Sequence, residues 1–400
     1  MSVRIRFYNI GDIMKKLIEF SIILTILAVS AAVGMGQTTS VMTTGLNKPT
    51  KVIIGPHNTL LVSENGTAVP NTGRVSVVDR ATGARHTLIS GLPSGVDNLG
   101  GPPSPDGTTS LLLDGQLLYL TSGVGDATIK IDGVEYPGEA PSSPIFDSVM
   151  QIYLPHRFES LDSEFHMTMN DQLSLATGRW VRIQNNEGRS MFARILADLP
   201  DYRSEPQPGI PDAIRSSHLF GIERVGWNLY VADASFNLIY RVNVFTGRSS
   251  VFLEMPTRPN PLFPTMGGPV IEAVPDNVHR LGRRLLIPEL TGFPMVPGQS
   301  DVRSVDLRTG AISTLIPGLS SAMDVLAVED AKCEMGYYAL EFSTNFLANA
   351  PGRLRHFDSA GNATMVVPVL ISPSSMARDK RTGDIFVTNI FPGTVTRIHF

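Results

Sequence analysis

The sequence predicts an all-β fold, a six-bladed β-propeller, and three observations carry the prediction. Three residue columns recur along the chain, mostly 44 to 58 positions apart, which is the period of a four-stranded blade. The strands between them are short and bounded by Gly and Pro turns, with no helical period of about 10–15 residues separating them. Residues 393–400 read as a third strand without a fourth, and a matching strand is found near residue 40. Pairing the two closes a ring and removes an exposed sheet edge, so residues 37–400 are expected to form one domain.

The chain opens on a segment outside that pattern. Lys15 and Lys16 precede the apolar run 17–33, then the small residues Gly34 and Gly36, then polar Gln37. Basic, apolar and small residues in that order mark a secretory signal peptide, here residues 1–36. Met14 stands directly before the basic pair, so translation from Met14 gives the better-formed leader. A retained membrane anchor is the competing reading, but an apolar run of about 17 residues is short for a ~30 Å span. Cleavage leaves no other run of that kind. The remainder is expected to be exported, periplasmic or extracellular, without membrane contact.

The blades follow in order. The first column sets a small or polar residue ahead of an apolar strand: Lys51, Gly95, Gly221, Asn277, Asp324 and Ser375. The second ends an apolar strand on a polar residue: Glu64, Ser122, Asp233, Glu289, Glu341 and Asn389. The third is a turn closing on Gly83, Gly247, Gly310 or, in a shorter copy, Gly361. Six copies of the first two columns imply six blades. The second unit is irregular, with 111 positions between Ser122 and Asp233. Residues 149–154 and 190–196 read as its third and fourth strands, with an inserted hairpin at 156–190 built from 165–169 and 179–183. A seventh, degenerate blade is the alternative. Residues 97–110 and 201–213, rich in Pro and Gly, read as loops.

Composition excludes several functions. A net charge of −4 without a basic block argues against nucleic acid,. Cys333 is the one cysteine, which rules out an internal disulfide and a multi-Cys metal site,. Metalloprotease, nucleophile-elbow, phosphate-loop, dinucleotide and EF-hand motifs are absent from the sequence,.

Val231 to Ala234, the string Glu289-Leu290-Thr291-Gly292-Phe293-Pro294 with Pro297-Gly298, and the step Gly45-Leu46-Asn47-Lys48-Pro49 resemble the ScyD/ScyE family. That family comprises exported propeller-like proteins named for genes associated with scytonemin pigment biosynthesis. The resemblance spans most of residues 41–400 and is weakest at 156–190. It implies the fold and export, and it supplies no catalytic residue.

In a blade the first strand lines the central channel and the second returns to the face where the first began. The first two columns therefore meet on one face. Lys51, Asn277, Asp324 and Ser375 are expected at the channel mouth, with Glu64, Asp233, Glu289 and Glu341 further out. A polar, net-acidic mouth of this kind can take a cation, a sugar or a hydroxylated molecule. The outer acids also suit a second role, accepting backbone N–H groups of their own turns. His218 lies near the same face and His279 on a neighbouring strand; either one beside Asp324 makes an acid–base pair. A calcium ion is the one cofactor considered, as in gluconolactonase-like propellers. It needs several converging oxygens, of which Asn277 and Asp324 are two, and Lys51 sets an ammonium where another carboxylate would help.

Three functions remain open. The first is a monomeric accessory protein binding a small molecule or a protein through one face. The alternatives are a metal-dependent hydrolase of lactone or ester bonds, and an interaction scaffold whose inserted hairpin carries Trp180. Lys51 paired with Asp324 points to binding, converging axial oxygens to the hydrolase, and Trp180 on a protruding hairpin to the scaffold.

Overall fold

The computed structural model describes residues 37–97, 104–207, 210, 213–329 and 333–400. The leader expected at 1–36 lies outside the described residues. The rest is a six-bladed propeller, nearly all antiparallel sheet. Blade 1 comprises Pro49–Ile54, Thr59–Glu64, Gly73–Asp79 and Arg85–Leu92 from the axis outward, and blade 2 comprises Ser104–Asp114, Leu117–Ser122, Ser148–Tyr153 and Ser190–Asp198. Blade 3 comprises Leu219–Val225, Asn228–Asp233, Leu238–Asn243 and Ser249–Glu254. Blade 4 comprises His279–Leu281, Arg284–Pro288, Ser300–Asp306 and Ile312–Leu319. Blade 5 comprises Ala322–Glu329, Met335–Glu341, Gly352–Phe357 and Ala363–Leu370.

Blade 6 takes Pro373–Arg378, Ile385–Asn389 and Thr394–His399 from the end of the chain, and its outermost strand is Thr38–Thr43. Thr38 pairs with His399 and Ser40 with Arg397, antiparallel, which is the expected ring closure. No seventh blade is present among the described residues.

The recurring Gly turns have one cause. In blade 1, Asp79 Oδ1 accepts the Ala81 and Thr82 amides and the Thr82 hydroxyl at 2.8–2.9 Å, and Gly83 donates its amide back to the Asp79 carbonyl. Asn243 and Asp306 build the same turn in blades 3 and 4. Gly83 is required twice over: its φ is +74°, and a Cβ there would run into the Met42 carbonyl of the closing strand,.

Apolar packing repeats with the blades. Each seam between neighbours has its own core: Val52, Leu60 and Val62 pack on Ala377, Phe386 and Val395 between blades 1 and 6, while Leu286, Val302 and Ile316 pack on Val325 and Ala339 between blades 4 and 5. Near the axis, hydroxyls tie blade to blade. Ser63 donates to the Thr109 carbonyl at 3.1 Å, Thr109 to the Leu219 carbonyl at 2.7 Å, and Thr121 to the Phe220 carbonyl at 3.0 Å.

Two sequence expectations are corrected. Residues 104–110 are not loop but the start of the blade 2 inner strand. Ser94–Asp97 instead forms a short hairpin against that strand's beginning, Ser94 opposite Gly107. Ser122 pairs with Thr108, so Ser110 takes the inner-ring place expected of Gly95. The inserted segment 156–190 is also not a hairpin. Phe165–His166 adds a parallel fifth strand to blade 1, beside Ile89 and Ser90. Val181–Gln184 adds an antiparallel fifth strand to blade 2, beside Ser190–Asp198. Between them runs the helix Met169–Ala176, capped by Thr168 and Asp171 in a capping box,. Phe158, Phe165 and Leu175 bury themselves in the core shared by blades 1 and 2, so the insertion straps two rims together.

Candidate functional site

Strand register places the two rings. In blades 1, 2, 5 and 6 the polar end of the second strand pairs two residues before the inner-ring position: Glu64 with Pro49, Ser122 with Thr108, Glu341 with Ala322, Asn389 with Pro373. Asp233 opposite Leu219 and Glu289 opposite Pro275 continue the pattern. The inner ring is therefore Lys51, Ser110, Gly221, Asn277, Asp324 and Ser375.

Of the expected inner-ring candidates, Lys51, Asn277 and Asp324 meet on the axis, with Lys51 in contact with both of the others. Lys51 Nζ donates to Asn277 Oδ1 at 2.7 Å and lies 3.9 Å from Asp324 Oδ2. Asn277 Nδ2 donates to the Met323 carbonyl at 2.8 Å. Asp324 accepts the Met376 amide at 2.8 Å and meets His279 Nε2 at 2.5 Å. His279, not His218, is thus the histidine beside Asp324. Burial works to raise the Asp324 carboxyl, but Lys51 and His279 outweigh it and hold it below the usual carboxylate range,. Ser375 is fully buried, its Oγ 3.5 Å from the Val52 amide. Asn277 and Asp324 do not suit a calcium site, because the ammonium of Lys51 stands between them.

The outer acids face their own blades. Glu64 accepts from Arg74 at 2.7 Å and Ser76 at 2.5 Å. Asp233 takes the His218 and Phe236 amides and the Ser217 hydroxyl at 2.8–3.1 Å. Glu289 is held by Arg258 and Arg303. Glu341 accepts from Ser320, Arg353 and Arg355. All four carboxylates are completely buried. They lock the second strands of blades 1, 3, 4 and 5 to the residues around them.

The accessible site lies above this plug. A crater of about 760 Å³ opens on the same face, floored by Phe220, Asp276 and Met323, each one residue before or beyond an inner-ring position. Its walls come from Ile210, Ile214 and His218 and from the loops 267–274, 290–295 and 342–346, and this size is in the range of small-molecule pockets. The string Leu290-Thr291-Gly292-Phe293 forms one wall. Three non-glycine residues of the lining sit at positive φ: Val274 at 51°, Thr291 at 73° and Met295 at 52°. For β-branched Val and Thr this is a strained conformation, of the kind that concentrates at binding sites. A second hollow, about 310 Å³ at the closing seam near Val41 and Val369, is shallower and carries no titratable side chain.

The crater holds three titratable groups. His218 Nε2 lies 3.4 Å from Asp106 Oδ1, a charge contact rather than an aligned hydrogen bond. Burial alone would lower the imidazole, but Asp106, aided by Asp97 and Asp276, raises it to about 9. Asp276 is buried with Oδ2 unpartnered among the described residues, and burial raises it well above the usual range. Glu272 accepts from Gln207 at 3.0 Å, and burial raises it to about 7. Sequence reasoning missed Asp276 and Glu272, which precede Asn277 in a stretch with no strand period. Trp180, expected on a hairpin, lies half-exposed before the fifth strand of blade 2, with the Arg194 guanidinium 5.1 Å from its ring. No helix among the described residues is long and apolar enough to cross a membrane.

No protein-family model and no curated protein matches this chain. Among solved structures it is similar to a structural-genomics protein of unknown function from Bacteroides thetaiotaomicron, with a TM-score of 0.50 and 10% identity over 91% of this chain and 76% of that one. An auxiliary nutrient binding protein from the same species gives 0.49 and 9% over 88% and 69%. A gluconolactonase from Xanthomonas campestris gives 0.47 and 10% over 90% and 89%. At such identities the likeness shows the propeller fold alone.

Proposed function

We propose that this protein is an exported, ScyD/ScyE-like accessory propeller that binds a small, largely apolar molecule in the crater over its axis. The observation that carries the reading is the crater itself: about 760 Å³, mostly apolar, with Asp276 and Thr291 at its lining each keeping a buried oxygen without a partner among the described residues. Buried polar atoms are normally satisfied, so these two are ready for a ligand's donors or acceptors. The axial network supports binding over the metal-dependent hydrolase, since Asn277 and Asp324 already spend their oxygens on Lys51, His279 and the Met376 amide.

Nile red, a neutral dye that brightens in apolar surroundings, tests the reading. The wild type is expected to take up about one dye per chain. Gly268→Trp, whose added side chain starts in open space at the lining, and Ile390→Trp should both lose uptake while keeping the far-UV circular dichroism of the parent. Absence of dye binding by the wild type would sink the proposal.

A further inference from the structure

The crater's charges and rings narrow the class of ligand, and the argument rests on the binding reading above. His218, Glu272 and Asp276 are the titratable side chains among the described lining residues, which include no Lys or Arg. The charge of His218 is already met by Asp106 beneath it. What is left over at the lining is acidic.

Glu272 is the better placed of the two acids. Its Oε1 accepts from Gln207, and its Oε2 makes no hydrogen bond to a described residue. Asp276, 3% exposed, keeps its Oδ2 without a partner among the described residues. Around them stand Phe220, Phe293, Phe342 and Phe346, with Phe342 and Phe346 in contact at 6.5 Å between ring centroids. Phenyl faces attract cations and pack against flat apolar groups. An anionic ligand would face two acids with no free cation to offset them. A sugar would bring more hydroxyls than Ser235, Thr291 and the three titratable groups can satisfy,.

We propose that the crater binds an organic monocation, an amine with an apolar ring-bearing body, its ammonium on the Glu272 carboxylate and its body among Phe220, Phe293, Phe342 and Phe346. The arrangement leaves Glu272 poised near neutrality in the empty protein, since burial raises its carboxyl to about 7. A cation beside it restores full charge at little cost.

The test uses three naphthalenes of matched shape, bearing an aminoethyl, a hydroxyethyl or a carboxymethyl arm, titrated calorimetrically into the wild type at pH 7. The amine is expected to bind about tenfold or more tighter than the alcohol, and the acid more weakly than either. In Glu272→Gln the amine should fall to the alcohol's affinity while the alcohol is unchanged. An amine no better than the alcohol overturns the cation proposal and leaves the crater reading intact. A preference that survives in Glu272→Gln overturns the assignment to that carboxylate. Failure of all three probes together with failure of Nile red overturns both readings. The comparison within the wild type holds even if the variant is unstable, and Asp276→Asn, which keeps shape and leaves Glu272 in place, should retain the amine's preference; its loss there would overturn the assignment to Glu272.

Discussion

Lys51 of blade 1 donates to Asn277 of blade 4 at 2.7 Å, a hydrogen bond that crosses the ring from one side to the other. With Asp324 at 3.9 Å, the ammonium ties three blades at the axis. Lys51→Met leaves the Asn277 oxygen without its donor and removes the ammonium 3.9 Å from the buried Asp324 carboxylate. The expected cost is about 3 kcal/mol, read as a lower urea midpoint. Adding Asp324→Asn should cost less than the two changes taken separately, because both act on one network. An unaltered midpoint in Lys51→Met contradicts this account of the axis.

The outer acids are structural. Glu341 accepts the Ser320 amide at 2.7 Å and the Arg353 and Arg355 guanidiniums at 2.6 and 2.8 Å. Glu341→Gln is expected to lose about 2–4 kcal/mol of stability, with Nile red uptake per folded molecule unchanged. Weakened uptake at full stability would mean that this ring reaches the ligand after all.

His218 should titrate near pH 9, where its pairing with Asp106 places it. Its folded value lies above the unfolded 6.5. Its contribution to stability is therefore complete below about pH 6.5 and lost as the pH rises through about 9. The gap in thermal midpoint between the wild type and His218→Gln should narrow across that window. A ring-proton NMR titration gives the value directly, and a midpoint near 6.5 would refute the pairing.

Gln172 holds the strap across blades 1 and 2. It accepts from Ser143 at 2.7 Å and donates to the Gly91 carbonyl at 2.9 Å and to Asn71 at 3.2 Å. Gln172→Ala strands those partners and is expected to cost about 2 kcal/mol. Hydrogen exchange at the Met167 amide, which bonds the Ser90 carbonyl, should quicken with it. Unchanged exchange would show that apolar packing alone keeps the strap in place.

The blades were legible because the chain repeats the same solution. A second strand ending in Glu64, Asp233, Glu289 or Glu341 announces its own register, and the turn at Gly83 recurs at Gly247 and Gly310. The error at Gly95 has a physical source. Pro93-Ser94-Gly95-Val96 copies the pattern of Pro373-Ser374-Ser375-Met376 but pairs with the start of the blade 2 inner strand, which meets the second strand only from Thr108 onward. The partner of Ser122 was the signal that points to Ser110. The inserted strands misled for a different reason: Phe165 and Val181 show strand character, but nothing local to them says which neighbour they join. The crater was illegible because Glu272, Asp276 and Met323 become neighbours only through loop packing, although the string around Thr291 already stood out.

The pairing of Thr38–Thr43 with Thr394–His399 fixes an order of events during synthesis. The strand made earliest among the six blades is the one that waits longest for its partner, through the making of every other blade. Until the last strand exists, the seam between blades 1 and 6 is open and its apolar face, around Phe386 and Val62, is wet on both sides. Contacts so distant along the chain form late, because the entropy of closing the loop must be met before they return anything. A nascent or truncated chain is therefore an unsealed horseshoe with two sticky ends, and a helper that shields the 38–43 strand would act on the whole ring by guarding six residues.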